Sequence, residues 1–143
     1  MTRYSRLDLA SVQLDKAIAL FLDGEHLCAL TLAGAAEEIL GKLTNAAGNV
    51  HALEAIASDM VPKLALQGVF TDAKEVYRHL NHARNGAKHV LPAEELVVDW
   101  PDSLVMLLRA VPMARELGVR TALQDELIKW VVANHQTIVA YTD

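Results

Sequence analysis

Apolar side chains recur along this chain every third or fourth residue, and strict alternation is almost absent. Leu7, Ala10, Leu14, Ala17, Ile18 and Phe21 predict a first helix that starts near Ser5 or Asp8 and ends at Asp23-Gly24. A second is expected over about Glu25 to Ala46, with Cys28, Leu32, Ala35, Ala36, Ile39 and Leu43 on one stripe and a stop at Asn45 to Asn49. It also carries a small-residue stripe of Thr31, Gly34, Glu38 and Gly41. Glycine inside a helix costs about 1 kcal/mol against alanine, so the two glycines suggest that another helix backbone approaches there.

Residues 50–68 predict a shorter helix, bent or broken at Pro62, which lacks the backbone donor. A fourth helix is expected from Asp72 to Val90, stopping before Leu91-Pro92. Asp99 is a good N-cap, and Trp100-Pro101 open a fifth helix over about 100–117 that ends at Gly118. Thr121 opens a sixth, with Leu123, Leu127, Trp130, Val131 and Ile138 at helical spacing. The expected fold is all-α: an antiparallel up-down bundle of five to six helices, in one domain over residues 1–143.

Composition narrows the function. A chain of 143 residues can bury roughly 70% of its unfolded surface and needs no disulfide, and its one cysteine cannot form an internal one. Cys28 stands among Leu27, Leu30 and Leu32 and is expected to be a buried, inert thiol. Charges near the N-terminus argue against a secretory leader, and charges interrupt every apolar run before membrane-spanning length. A cytoplasmic protein with no membrane contact is expected. The net charge of −5 and pI near 5.6 exclude a broad nucleic-acid-binding surface, whose affinity rests on neutralising phosphates. Residues 71–90 depart from that balance: Lys74, Arg78, Arg84 and Lys88 outnumber Asp72 and Glu75, giving +2 and leaving −7 elsewhere. One positive helix on an acidic body suits a small phosphate-bearing target.

The same segment holds the candidate chemistry. Val76, Leu80, Ala83 and Ala87 form its core stripe, and Asn81, Arg84, Asn85, Lys88 and His89 cover the opposite arc. Arg84 and His89 lie about 140° apart on that wheel, whereas Asn81, Asn85 and His89 align at successive four-residue steps. An arginine, an amide and an imidazole together can bind a phosphate, hold a leaving group's charge and move a proton without a metal. A face that needed only solubility would be better served by lysine and glutamate than by asparagines and histidines. A site opposite the core becomes a cleft only when covered, and the simplest cover is a second copy, so a homodimer packed near this helix is expected.

Other readings stand beside this one. Glu75, His79 and His82 share a helix face as a possible two-histidine–carboxylate metal site. Glu37 or Glu38 is placed to pair with Arg84 across helices. His26, His51 and His135 read as structural or solvent-exposed, and Trp100 and Trp130 as core aromatics.

The run Leu80-Asn81-His82-Ala83-Arg84-Asn85-Gly86-Ala87-Lys88-His89 resembles the signature segment of HEPN domains: an arginine, a polar residue, then a histidine a few positions on. Leu32-Ala33-Gly34-Ala35-Ala36-Glu37-Glu38-Ile39-Leu40 is similar to that family's second helix. The helix pattern is alike over about residues 5–140. The resemblance implies a small helical bundle and a metal-independent endoribonuclease of toxin or defence type, acting as a homodimer and needing no cofactor. Arg84 contacts the scissile phosphate in that implication, Asn85 orients, and His89 is the general acid or base. Asn81, Lys88, His82 and Arg78 are the accompanying binding residues. RNA or a nucleotide is the implied ligand, and an antitoxin a possible partner. The resemblance equally admits a non-catalytic nucleotide-binding or protein-interaction module. It stops at Leu91, where one branch of the family carries a tyrosine, so it implies no regulation by AMP transfer.

Overall fold

A computed structural model describes residues 1–89 and 95–142, and every regular element among them is an α-helix. Eight helices follow one another: α1 (Arg6–Leu22), α2 (His26–Ala46), α3 (Ala52–Leu66), α4 (Ala73–Leu80), α5 (His82–Lys88), α6 (Trp100–Glu116), α7 (Ala122–Ala133) and α8 (His135–Thr142). Their starts follow local chemistry. Ser5 accepts from the Asp8 backbone N–H at 3.0 Å while Asp8 accepts from that of Ser5 at 3.1 Å, a reciprocal cap on α1. Asp99 and Asp102 repeat the arrangement on α6, with Pro101 in its first turn, where no donor is missed. Between α1 and α2 the chain reverses through Gly24, whose φ of 83° is cheap only for glycine.

The helix α2 is the centre of the packing, with α1 and α6 against it and α5 along a further flank. Leu14, Ile18, Leu30, Leu40, Leu107 and Leu127 are fully or almost fully buried between α1, α2, α6 and α7. Alanines at 10, 17, 29, 33, 36, 110 and 114 let these helices approach closely. Trp100 and Trp130 are half-buried against this core, as the sequence predicts, in an aromatic chain with Phe21 and Tyr141. No described helix is long and apolar enough to cross a membrane.

Several expectations are corrected. The described residues form eight helices rather than five or six, because two long segments are each divided. The fourth breaks at Asn81, whose side chain turns inward, and the last breaks at Asn134. The expected extension to Val90 lies outside the described residues. The helix α3 is neither broken nor ended at Pro62, which sits on its exposed side. On α2 the buried stripe is Ala29, Ala33, Ala36, Leu40 and Thr44 with Leu30, Gly34, Glu37 and Gly41, about one position round from the expected one. Cys28 is therefore exposed. The two glycines of α2 make room not for a helix backbone but for side chains: a Cβ at Gly34 would lie 2.5 Å from Arg84 Cγ, and one at Gly41 would lie inside the ring of His51.

Candidate functional site

The inward turn at Asn81 is the key to the site. Asn81 is 9% exposed, and its side-chain Oδ1 accepts from Arg109 Nη1 at 3.0 Å. Arg109 projects from the middle of α6, 2% exposed, and its guanidinium also donates to Glu37 of α2, with Nε 3.1 Å from Oε1. A charge this deep has to be paired, and the pairing ties α2, α6 and the α4–α5 junction to one point. Burial pushes the Arg109 pKa below the ordinary arginine value; Glu37 opposes this, and the nearby Arg84 adds to it.

A second guanidinium reaches the same carboxylate. Arg84 leaves α5, lays its stem in the space that Gly34 vacates, and donates from Nη1 to Glu37 Oε2 at 3.4 Å. Its Nε and Nη2 donate to Asn85 Oδ1 at 3.3 and 3.2 Å. Its side chain is 14% exposed. On a third side, His51 Nδ1 accepts from the Leu53 backbone N–H at 3.0 Å, capping α3, and its Nε2 faces Glu37 Oε1 at 3.7 Å. With Nδ1 acting as acceptor, neutral His51 carries its proton on Nε2, pointing at the carboxylate. One carboxylate thus faces two guanidiniums, an excess of one positive charge in a chain whose net charge is −5.

Next to this cluster, Lys88 at the end of α5 pairs with Glu38 of α2 at 3.3 Å, and Glu38 also holds Lys42. Lys88 first, then Lys42, keeps the Glu38 carboxyl below its ordinary pKa. Two adjacent acids of α2 therefore fasten the two cations of α5.

The residues singled out from the sequence divide into groups. Arg84, Asn85, Lys88 and Asn81 converge on Glu37, Glu38 and Arg109. The placement of Asn81 and Arg84 on a solvent arc is corrected, since Asn81 turns towards Arg109 of α6 and Arg84 towards Glu37 of α2. Of the two acids considered for Arg84, the partner is Glu37. His89 does not join them. It follows α5 in an extended conformation, with its N–H on Asn85 O at 2.9 Å, and its side chain is exposed without a polar partner among the described residues. His82 and Arg78 are exposed on a different side, and Arg78 is paired with Glu75 at 2.9 Å. That pairing occupies the acid of the suggested Glu75–His79–His82 metal set, and no described group of three donors is arranged to hold a metal.

Two participants escaped the sequence reading, Arg109 and the partnership of His51 with Glu37. A signal for the first was present. Arg109 is the lone charge between Asp102 and Arg115, in a run of otherwise apolar and small residues. A charge there needs a buried counter-ion, and Glu37, on the small-residue helix, is its match. His51 carried no such signal, because only folding brings it to Gly41. No family model, curated protein or solved structure matches this chain.

Proposed function

We propose that this chain is a HEPN-like endoribonuclease that works as a homodimer and without a metal, with Arg84 on the scissile phosphate and His89 moving protons. One observation carries the reading: Arg84 is a braced guanidinium, not a solvated surface arginine. Of its five N–H groups, three are used by Glu37 and Asn85, which leaves two for a ligand. A planar group fixed in this way meets a phosphate without reordering, and the excess positive charge is what a phosphodiester neutralises.

The chemistry follows from these groups. The ribose 2′-oxygen attacks phosphorus while an imidazole takes its proton, and the 5′-oxygen leaves with a proton from a second imidazole. The products are a 2′,3′-cyclic phosphate and a 5′-hydroxyl. One chain supplies one His89, so a two-fold pair supplies both the base and the acid. Arg84 and Lys88 hold the charge that develops on the phosphorane, and Asn85 orients Arg84. A toxin or defence role, and an antitoxin partner, belong to the same proposal.

A non-catalytic nucleotide-binding or interaction module is the second reading. It is favoured by the separation of His89 from Arg84 within a subunit and by the three N–H groups that Arg84 spends internally. His89→Ala separates the two, because this exposed side chain supports nothing in the fold. Chelator-treated wild type is expected to cut a structured RNA at least ~100-fold faster than His89→Ala, at unchanged melting temperature. Equal rates, or no cleavage by either, leave only the binding module.

A further inference from the structure

We propose that the cavity where α4, α6 and α8 meet binds a small organic cation, an amine carried on an apolar body. The cavity has a volume of about 330 Å³, within the usual range for small-ligand sites. Leu80, Val105 and Met106 give it an apolar lining. The Tyr141 ring lines it too, edge-on to Trp100 with centroids 5.3 Å apart. The other polar groups around it are two imidazoles, His79 and His82, and the carboxylate of Asp102. No arginine or lysine is among the described residues that line it.

The charges decide the ligand. Asp102 gives Oδ2 to the Asp99 N–H at 2.9 Å, in the cap of α6, and its Oδ1 has no hydrogen bond among the described residues. An ionised carboxylate accepts and never donates, so the free oxygen calls for a donor, best of all a charged one. A neutral imidazole adds one acceptor nitrogen, and a tyrosine ring turns a negative π-face to an ammonium group. Helix ends act in the same sense. The helix α8 closes at Thr142, so its partly negative carbonyl end lies beside Tyr141. The positive end of α6 is there as well, but Asp99 and Asp102 already cap it. A carboxylate or phosphate ligand would face Asp102 with no guanidinium or ammonium to receive it. A purely apolar ligand would leave the carboxylate unanswered. The chain's net charge of −5 also draws cations towards the surface. This site needs neither Arg84 nor the RNA-cleaving reading, and it stands or falls apart from them.

The test titrates the full chain with phenethylamine, phenethyl alcohol and hydrocinnamate, following amide chemical shifts in nitrogen-labelled protein. The probes share an aromatic body and carry a cation, a neutral hydroxyl and an anion. The amine is expected to bind about 10-fold more tightly than the alcohol, the scale of one charge-assisted hydrogen bond. It is expected to move the amides of Leu80, Val105 and Tyr141. Asp102→Asn keeps the side chain's shape and removes the preference for the amine. Tyr141→Ala, at an exposed ring, weakens the amine by about 3-fold. Val105→Arg bears on the same point without touching the cap of α6. That position is exposed one turn after Asp102, so the new guanidinium pairs with the carboxylate and abolishes amine binding at an unchanged melting temperature. Absence of amine binding at millimolar concentration overturns the proposal. So does equal binding of the alcohol or of hydrocinnamate, and so does an amine affinity that Val105→Arg leaves as it was.

Discussion

Glu37 is 1% exposed and shares its two oxygens among Arg84, Arg109 and the edge of His51. Its contribution is asymmetric. A buried ion pair adds little compared with a well-packed apolar replacement, but removing one member strands the other. Glu37→Gln keeps the shape and deletes the charge, leaving the buried Arg109 with neutral amide acceptors only. The expected loss is about 3–5 kcal/mol in urea unfolding. A loss below about 1 kcal/mol contradicts the network as drawn. The nearby Gly34 and Gly41 belong to the same design, because the stem of Arg84 and the ring of His51 fill the spaces where their side chains would be. Those contacts explain why two glycines persist in the middle of a 21-residue helix.

At the scale of elements, α4 and α5 contrast with the rest. Eight and seven residues long, they fall below the length at which a helix stands alone, and Val76 is the one apolar side chain buried between them. Besides Ala83 and Ala87 against the core, what holds them is polar: the Asp72 cap, with Oδ1 2.8 Å from the Glu75 N–H, the Arg84–Glu37 and Lys88–Glu38 pairs, and Asn81 on Arg109. Asp72→Ala is expected to cost about 1 kcal/mol. Hydrogen exchange locates it: α4 amides exchange faster while those of α1, α2 and α6 keep their rates. Uniform acceleration across the chain contradicts a locally held α4. The sequence made most elements legible, because Leu7 to Phe21 and Trp100 to Leu117 have apolar spacing with good caps at Ser5 and Asp99. The break at Asn81 was hidden, since the residues on both sides favour helix and the cause, Arg109, lies 28 positions away. The rotation of the α2 stripe was hidden for another reason. Alanine and leucine occur nearly all round that helix, so its buried side is chosen by the neighbours α1, α5 and α6.

For the molecule as a whole, a net charge of −5 surrounds a local cluster in which two guanidiniums share one buried carboxylate. Such a focus directs a small anionic group, or one phosphodiester of a longer strand, to a single place. It does not favour a duplex lying across the surface. The Arg84 and Lys88 side chains are 14% and 29% exposed, while His89 of the same chain stands apart, which is why the proposed enzyme requires a second copy. Light scattering is expected to give twice 15.6 kDa at micromolar concentration, and a mass of one chain contradicts the paired site. The most direct test of the whole account is the chemistry of the cut ends. RNA treated with the purified protein in excess chelator is expected to yield fragments ending in 2′,3′-cyclic phosphate and beginning with 5′-hydroxyl. Intact RNA, or fragments that appear only when a divalent metal is restored, contradicts it.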